Sequence, residues 1–371
     1  MIATATVTCA ALAAGLFLVL AGQGSPVALA HLVFAVGALP LIFAAIAHFV
    51  PVLTRSGEPS RGVAALPCLA QLSGLGAAAA LEGLLPRWVL HPAALIDATL
   101  ALGLLLWALN RARRCLGAAH PGWRWYAASL GCGIAALVAV PFMVSGLGAA
   151  ELRLWHLHLN VLGLVGCAAL GTLPVLLPTA LGRPDPAAAA WLRRRLWPVV
   201  GAVLAVAGGA ALAWPLAAVG AALLFAVVLG LLGHWLVHFG LPVLVERGAA
   251  SSFVVALLGL LGVLVLGAAH AMGVIAGRPA IAVWGAGFLL PLVTGALSQL
   301  LPVWRHPGPA SPARAALGRA LARFGRLRAL VFLGAGIALA AGWVPLGSFL
   351  AATGLGLFLM AAMLPGAAAA R

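Results

Sequence analysis

Histidine is the residue through which this chain can do chemistry. Seven of its ten histidines, His31, His48, His156, His158, His234, His238 and His270, fall inside long apolar runs, whereas His91, His120 and His306 fall between them. An ionisable side chain costs several kcal/mol in lipid unless it has a partner, which makes each of the seven a candidate functional group. In WHLHLNVLG, His156 and His158 are two apart. On a helix they point about 200° from one another, so they serve two different sites and cannot chelate one ion. Each then needs a partner from another helix. Two neutral imidazoles on facing helices form the common axial pair of a b-type haem, and His31, starting its own helix at a matching depth, is the first choice of partner for His158. Gly37, Gly163 and Gly166, about two turns below, would leave room for a flat macrocycle. His270 could instead partner His156. Hydrogen bonding of interfacial imidazoles to lipid head groups or backbone is the plain alternative.

GHWLVHFG has another geometry. His234 and His238 are four apart and share a helix face, as when one helix supplies two metal ligands, and His48 could be a third. Copper or a second haem suits imidazole. A hydrolytic zinc site would lack a carboxylate base nearby, and two side chains hydrogen-bonded across a bundle would explain the pair as well. Of the six acids only Asp97 sits clearly within an apolar run, as a proton-relay group, a partner orienting a histidine ring, or an interfacial Asp. The five cysteines contain no CxxC, which excludes CxxCH haem attachment and a zinc ribbon, and they read as small buried apolar residues.

The elements that must position these groups follow from composition. Of 371 residues 64% are hydrophobic and 7% charged. So little charge excludes a soluble enzyme. Apolar runs give twelve helices, near 2–22, 27–53, 62–85, 92–110, 126–148, 152–181, 197–213, 216–245, 250–276, 280–304, 327–343 and 345–365. Each is long enough to cross a bilayer at about 20 residues per crossing. The first lacks a basic segment before it and reads as a retained helix. All 21 basic residues are Arg. Eighteen fall in loops after even-numbered helices or in the tail, and three, Arg87, Arg153 and Arg278, after odd-numbered ones. Positive loops stay cytoplasmic, so the +15 balance is a topology signal that puts both ends in the cytoplasm of a bacterial-type inner membrane, and a nucleic-acid partner loses its support. By this rule His31, His156, His158 and His270 lie toward the outer face and His48, His234 and His238 in the inner half. The 306–326 loop is expected as a short Arg-rich surface helix on anionic lipid.

A repeat organises the helices. The Pro-Val pairs at Pro51, Pro174 and Pro302 recur at nearly a third of the chain length, and Trp107 and Trp235 lie in similar contexts. The expected architecture is therefore all-α, with twelve transmembrane helices in three pseudo-repeated four-helix units, about 1–122, 123–248 and 249–371, within one membrane domain.

These residues resemble a known family. AHLVFAVGALPLIFAAIAHFVPVL, with His31 at its outer start, is similar to the second helix of haem-copper oxidase subunit I, whose His ligates the low-spin haem. HLHLNVLGLVG is similar to that family's tenth helix, where two His separated by one residue ligate two haems. Twelve helices in three arcs are also that family's architecture. NnrS-type haem-and-copper membrane proteins, linked to nitric oxide stress, resemble the chain more in WHLHLNVLG followed by LGRPDP. The resemblance implies one or two b haems, with copper as a further metal, and His31, His156, His158 and His270 as haem-side residues. The chain departs from the oxidases in three ways: its HxH lies in the second repeat, no adjacent HH pair is present, and no His is followed four residues later by Tyr. Four-electron oxygen reduction therefore lacks its usual parts. The expected function is haem-based electron transfer, gas sensing or nitric oxide protection, with a small gas or a redox protein as partner. The alternatives are a transporter for a metal or small solute and an oxidoreductase acting on nitric oxide or oxygen.

Overall fold

A computed structural model describes residues 1–246 and 248–363. Among these residues all regular structure is helical. Among the described residues eleven helices are long and apolar enough to cross a membrane. Those that matter here are α1 (Ile2–Leu20), α2 (Pro26–Leu53), α3 (Arg61–Leu81), α4 (Arg87–Arg113), α5 (Gly122–Val144), α6 (Ala149–Leu181), α7 (Ala188–Leu212), α8 (Trp214–Phe239), α9 (Gly248–Ala271) and α10 (Arg278–Arg305), followed by α13 (Val344–Met363). Between α10 and α13 lie the short α11 (Pro312–Ala322) and α12 (Gly325–Ala340). The expected eleventh crossing is α12, whose 16 residues make it shorter than the others.

Helices are forced here because lipid offers no partner for backbone N–H and C=O groups. Their starts are specified locally. Ser25, Ser60 and Ser311 each accept the hydrogen bond of an N–H in the first turn, with Pro26 and Pro312 as first helical residues. On α11, Leu317 and Leu321 are buried, whereas Arg319 is exposed and Arg314 half-buried.

Three of the long helices are not regular throughout. Each contains a π-helical stretch near its start: Leu32–Ala38 in α2, Leu159–Gly166 in α6 and Trp284–Leu289 in α10. Prolines account for part of this. Pro40 and Pro291 have no N–H to donate to the carbonyls of Val36 and Gly287 four residues earlier, so these are released from the ladder. Neighbouring side chains take up such carbonyls: Gln71 donates to Val36 at 3.4 Å, Thr8 to Gly37 at 3.0 Å and Ser129 to Leu164 at 2.6 Å. A π turn is uncommon and concentrates at functional sites. The histidines expected to act stand at two of them.

The chain divides into two compact units: residues 3–174 with 186–223, and residues 175–185 with 224–371.

Candidate functional site

In the first unit the site is built where α2 and α6 enter their π-helical stretches. His31 is the last residue before the stretch in α2, and His158 the last before that in α6. Both rings are held alike. Nδ1–H of His31 donates to the carbonyl of Val27 and that of His158 to Leu154, each four residues back and each at 2.8 Å. A carbonyl only accepts, so Nδ1 carries the proton and Nε2 keeps its lone pair.

His156 is held from another helix, its Nδ1–H donating to Ala136 of α5 at 2.9 Å. Its ring faces that of His31, with centroids 6.3 Å apart and planes 11° from parallel. The structure thus puts His156, not His158, opposite His31. The reason is helical geometry: residues two apart diverge by about 200°, and the α2-facing side falls to His156. The Asn160 amide donates to the His156 carbonyl at 2.9 Å and lies 3.4 Å and 3.3 Å from the two ring nitrogens. With the His156 Nδ1 proton given to Ala136, Nε2 is the ring nitrogen that accepts from the Asn160 amide.

A neutral imidazole whose Nδ1 proton is committed to a carbonyl could hold a metal through Nε2. Both Nδ1 atoms are engaged by backbone carbonyls, the usual arrangement for orienting a ligating histidine. The glycines divide. A Cβ at Gly37 or Gly166 would meet nothing closer than 3.7 Å, whereas one at Gly163 would lie 2.6 Å from the Cβ of Cys132. Gly163 therefore serves close packing of α5 on α6 and leaves no opening for a macrocycle.

Asp97, on α4 in the same unit, is buried against the Ser73 hydroxyl of α3, and its Oδ1 has no hydrogen-bond partner among the described residues. His48, also in this unit, packs edge-on against Phe49 with centroids 5.1 Å apart.

In the second unit His234 and His238 of α8 do share a face: their rings are stacked 5.6 Å apart and 8° from parallel. A carboxylate that sequence reasoning missed joins them. Asp185 Oδ2 lies 2.8 Å from Nε2 of His234, its side chain 2% exposed, and His238 Nε2 donates to the Pro184 carbonyl at 3.5 Å. The expectation of no carboxylate near this pair is corrected. Asp185 belongs to the LGRPDP turn 49 residues earlier in the chain, so only the fold brings it close. His270, near the end of α9, donates from Nδ1 to Ile275 at 3.0 Å. Among the described residues no group of three or more His, Cys, Asp or Glu side chains is placed to hold a metal ion.

No protein-family model matches this sequence, and no curated protein matches it.

Proposed function

We propose that the chain is an integral-membrane b-type haem protein whose haem iron would be held by His31 and His156. The observation that supports this reading is that imidazoles from α2 and α6 come together, with ring centroids 6.3 Å apart and each Nδ1 engaged by a carbonyl. Held by two imidazoles, such a haem supplies one-electron transfer. The residues of the chain do the positioning: Val27 and Ala136 fix the two rings, and the apolar flanks of α2 and α6 keep water away. In this reading the bundle has twelve crossings in three four-helix units of the haem-copper oxidase kind, it lies in a bacterial-type inner membrane, and the Arg-rich loops face the cytoplasm. Two features support the repeat. The π-helical stretches begin at residues 32, 159 and 284, close to equal spacing. His31 and His158 also occupy the same place before them, with the same back-bond.

Electron transfer is the activity that two occupied axial positions suit best. Gas sensing or nitric oxide protection would instead need an open coordination position. Copper belongs to the reading as a second metal that His234 and His238 would hold, with Asp185 beside His234.

The test is the visible spectrum of the purified protein, oxidised and dithionite-reduced. The expected result is a Soret band with sharp reduced bands of bis-imidazole b haem, lost in His31→Ala and in His156→Ala and kept in His158→Ala. A colourless preparation from haem-supplied cells overturns the proposal. Loss of the low-spin signal in His158→Ala with retention in His156→Ala would exchange the ligands. Metal analysis of the His234→Ala, His238→Ala double variant reads the second site separately.

A further inference from the structure

The second unit holds a buried cation whose charge no acid of that unit meets. Arg328 stands on α12 three residues after Gly325, about 4.5 Å into the helix from its Arg-rich end, and none of its surface is exposed. One donor is in use: Nη2–H donates to the Ser298 hydroxyl of α10 at 3.1 Å. Ser298 in turn donates to the Thr294 carbonyl at 2.6 Å, so a lone pair is what it offers Arg328. Among the described residues Nε and Nη1, which carry three N–H groups between them, have no acceptor. The Phe358 ring of α13 lies against the guanidinium, with Cζ 5.3 Å from the ring centroid, so one face of the plane is closed and the free donors act at its edges. A guanidinium keeps its charge in proteins, and one left buried and unpaired is strongly unfavourable. The unit's two acids are placed elsewhere: Asp185 is on His234, and Glu246 is exposed.

The surroundings say which anion suits the place. Arg323 and Arg326, at the turn into α12, and Arg319 on α11 are all exposed at the same end as Arg328. α11 covers this end, packing against α9, α10 and α13 with Leu317 and Leu321 on its buried side. We propose that Arg328 anchors a phosphate group bound between α10, α12 and α13 beneath α11. A phosphate carries several acceptor oxygens on one anion, which is what a guanidinium with several free N–H groups recognises best. It is also the anion that a bilayer supplies at this depth, where a basic pocket between helices holds the head group of an acidic lipid. The exposed arginines concentrate anions at the mouth of the site. Because Arg328 has no exposed surface, binding requires the α11 cover to part from the bundle and close again. A lipid head group and free inorganic phosphate present the same chemistry to Arg328, and the experiment separates them.

The site lies in the second unit and involves no histidine, so it stands apart from the haem reading. The full chain is reconstituted in nanodiscs of phosphatidylcholine with a minor share of phosphatidylglycerol, released into neutral detergent and weighed by native mass spectrometry. In parallel its thermal midpoint in detergent is measured with inorganic phosphate and with chloride at equal ionic strength. Retained phosphatidylglycerol identifies the lipid as the source; a midpoint raised by phosphate beyond chloride, with no lipid retained, identifies the free anion. Either signal is expected to weaken by a factor of about 30 or more in Arg328→Met, as when one partner of a buried charge pair is truncated, and to persist in Arg326→Gln. Arg328→Lys keeps the charge but not the planar set of donors and is expected to fall between the two. A native chain that retains no phosphatidylglycerol and gains nothing from phosphate over chloride overturns the proposal, as does a signal that survives at native strength in Arg328→Met.

Discussion

His120 shows how a single side chain carries a pH dependence. It lies in the loop between α4 and α5, where its backbone N–H donates to the Leu53 carbonyl and its ring Nδ1 accepts from the Gly122 N–H at 3.3 Å. Burial, reinforced by the positive charge of Arg193, lowers its pKa from the ordinary 6.5. The folded protein therefore favours the neutral ring, and a proton on Nδ1 would also break the bond from Gly122. The linkage sign follows: stability is full above pH 6.5 and is lost as pH falls from 6.5 through the lowered pKa. A thermal midpoint that drops over this range in the native chain, and drops less in His120→Gln, is the expected result; identical pH profiles would refute it. Residues of this kind divide by how local their partners are. That His234 and His238 share a face was legible because a spacing of four fixes it, whereas the choice of His156 over His158 opposite His31 was not. Asp185 on His234 was not legible, since the pair joins residues 49 positions apart and sequence spacing says nothing of such contacts.

At the scale of elements, the π-helical stretches are sites where neighbouring helices come unusually close. A Cβ on Gly74 of α3 would lie 2.5 Å from the Ala35 carbonyl oxygen in the stretch of α2, and one on Gly259 of α9 would strike the Gly287 backbone in that of α10. Backbone cannot yield as a flexible side chain can, so Gly74→Ala and Gly259→Ala are each expected to destabilise their unit by about 1–3 kcal/mol. Gly103, mid-way along α4, is the control, because a Cβ there meets nothing within 4 Å. Thermal unfolding in one detergent compares them; a Gly74→Ala midpoint equal to that of Gly103→Ala would show that α2 shifts to accept the methyl. Helix positions were legible because apolar length and loop charge specify them. The π turns were not, since a hydropathy pattern carries no mark for one extra residue in a turn. Pro40 and Pro291 were the available signal, and α6 forms its stretch without a proline at that place.

At the scale of the whole molecule, the number of crossings turns on α12, which has 16 residues. A helix of that length spans about 24 Å, against a hydrocarbon core of about 30 Å. The Arg asymmetry cannot decide the matter: the turn from α12 to α13 is Ala341–Trp343, which has no charge, so removing this crossing would move only Arg371 to the other side. The flanks of α12 are more informative. Arg326 stands at its start and an exposed Trp343 just past its end, the pairing of basic and aromatic anchors that marks two opposite interfaces. A short helix between such anchors is accommodated by local thinning of the bilayer at a fraction of a kcal/mol per Å. We therefore expect α12 to cross, giving twelve spans. In a Cys115→Ser background, Ala310→Cys is expected to react with an impermeant maleimide in inverted membrane vesicles only, and Ala341→Cys in right-side-out vesicles only. Labelling of both positions from the same side would reduce the bundle to eleven crossings and put α13 in the opposite orientation, removing the evenness on which a three-by-four repeat depends.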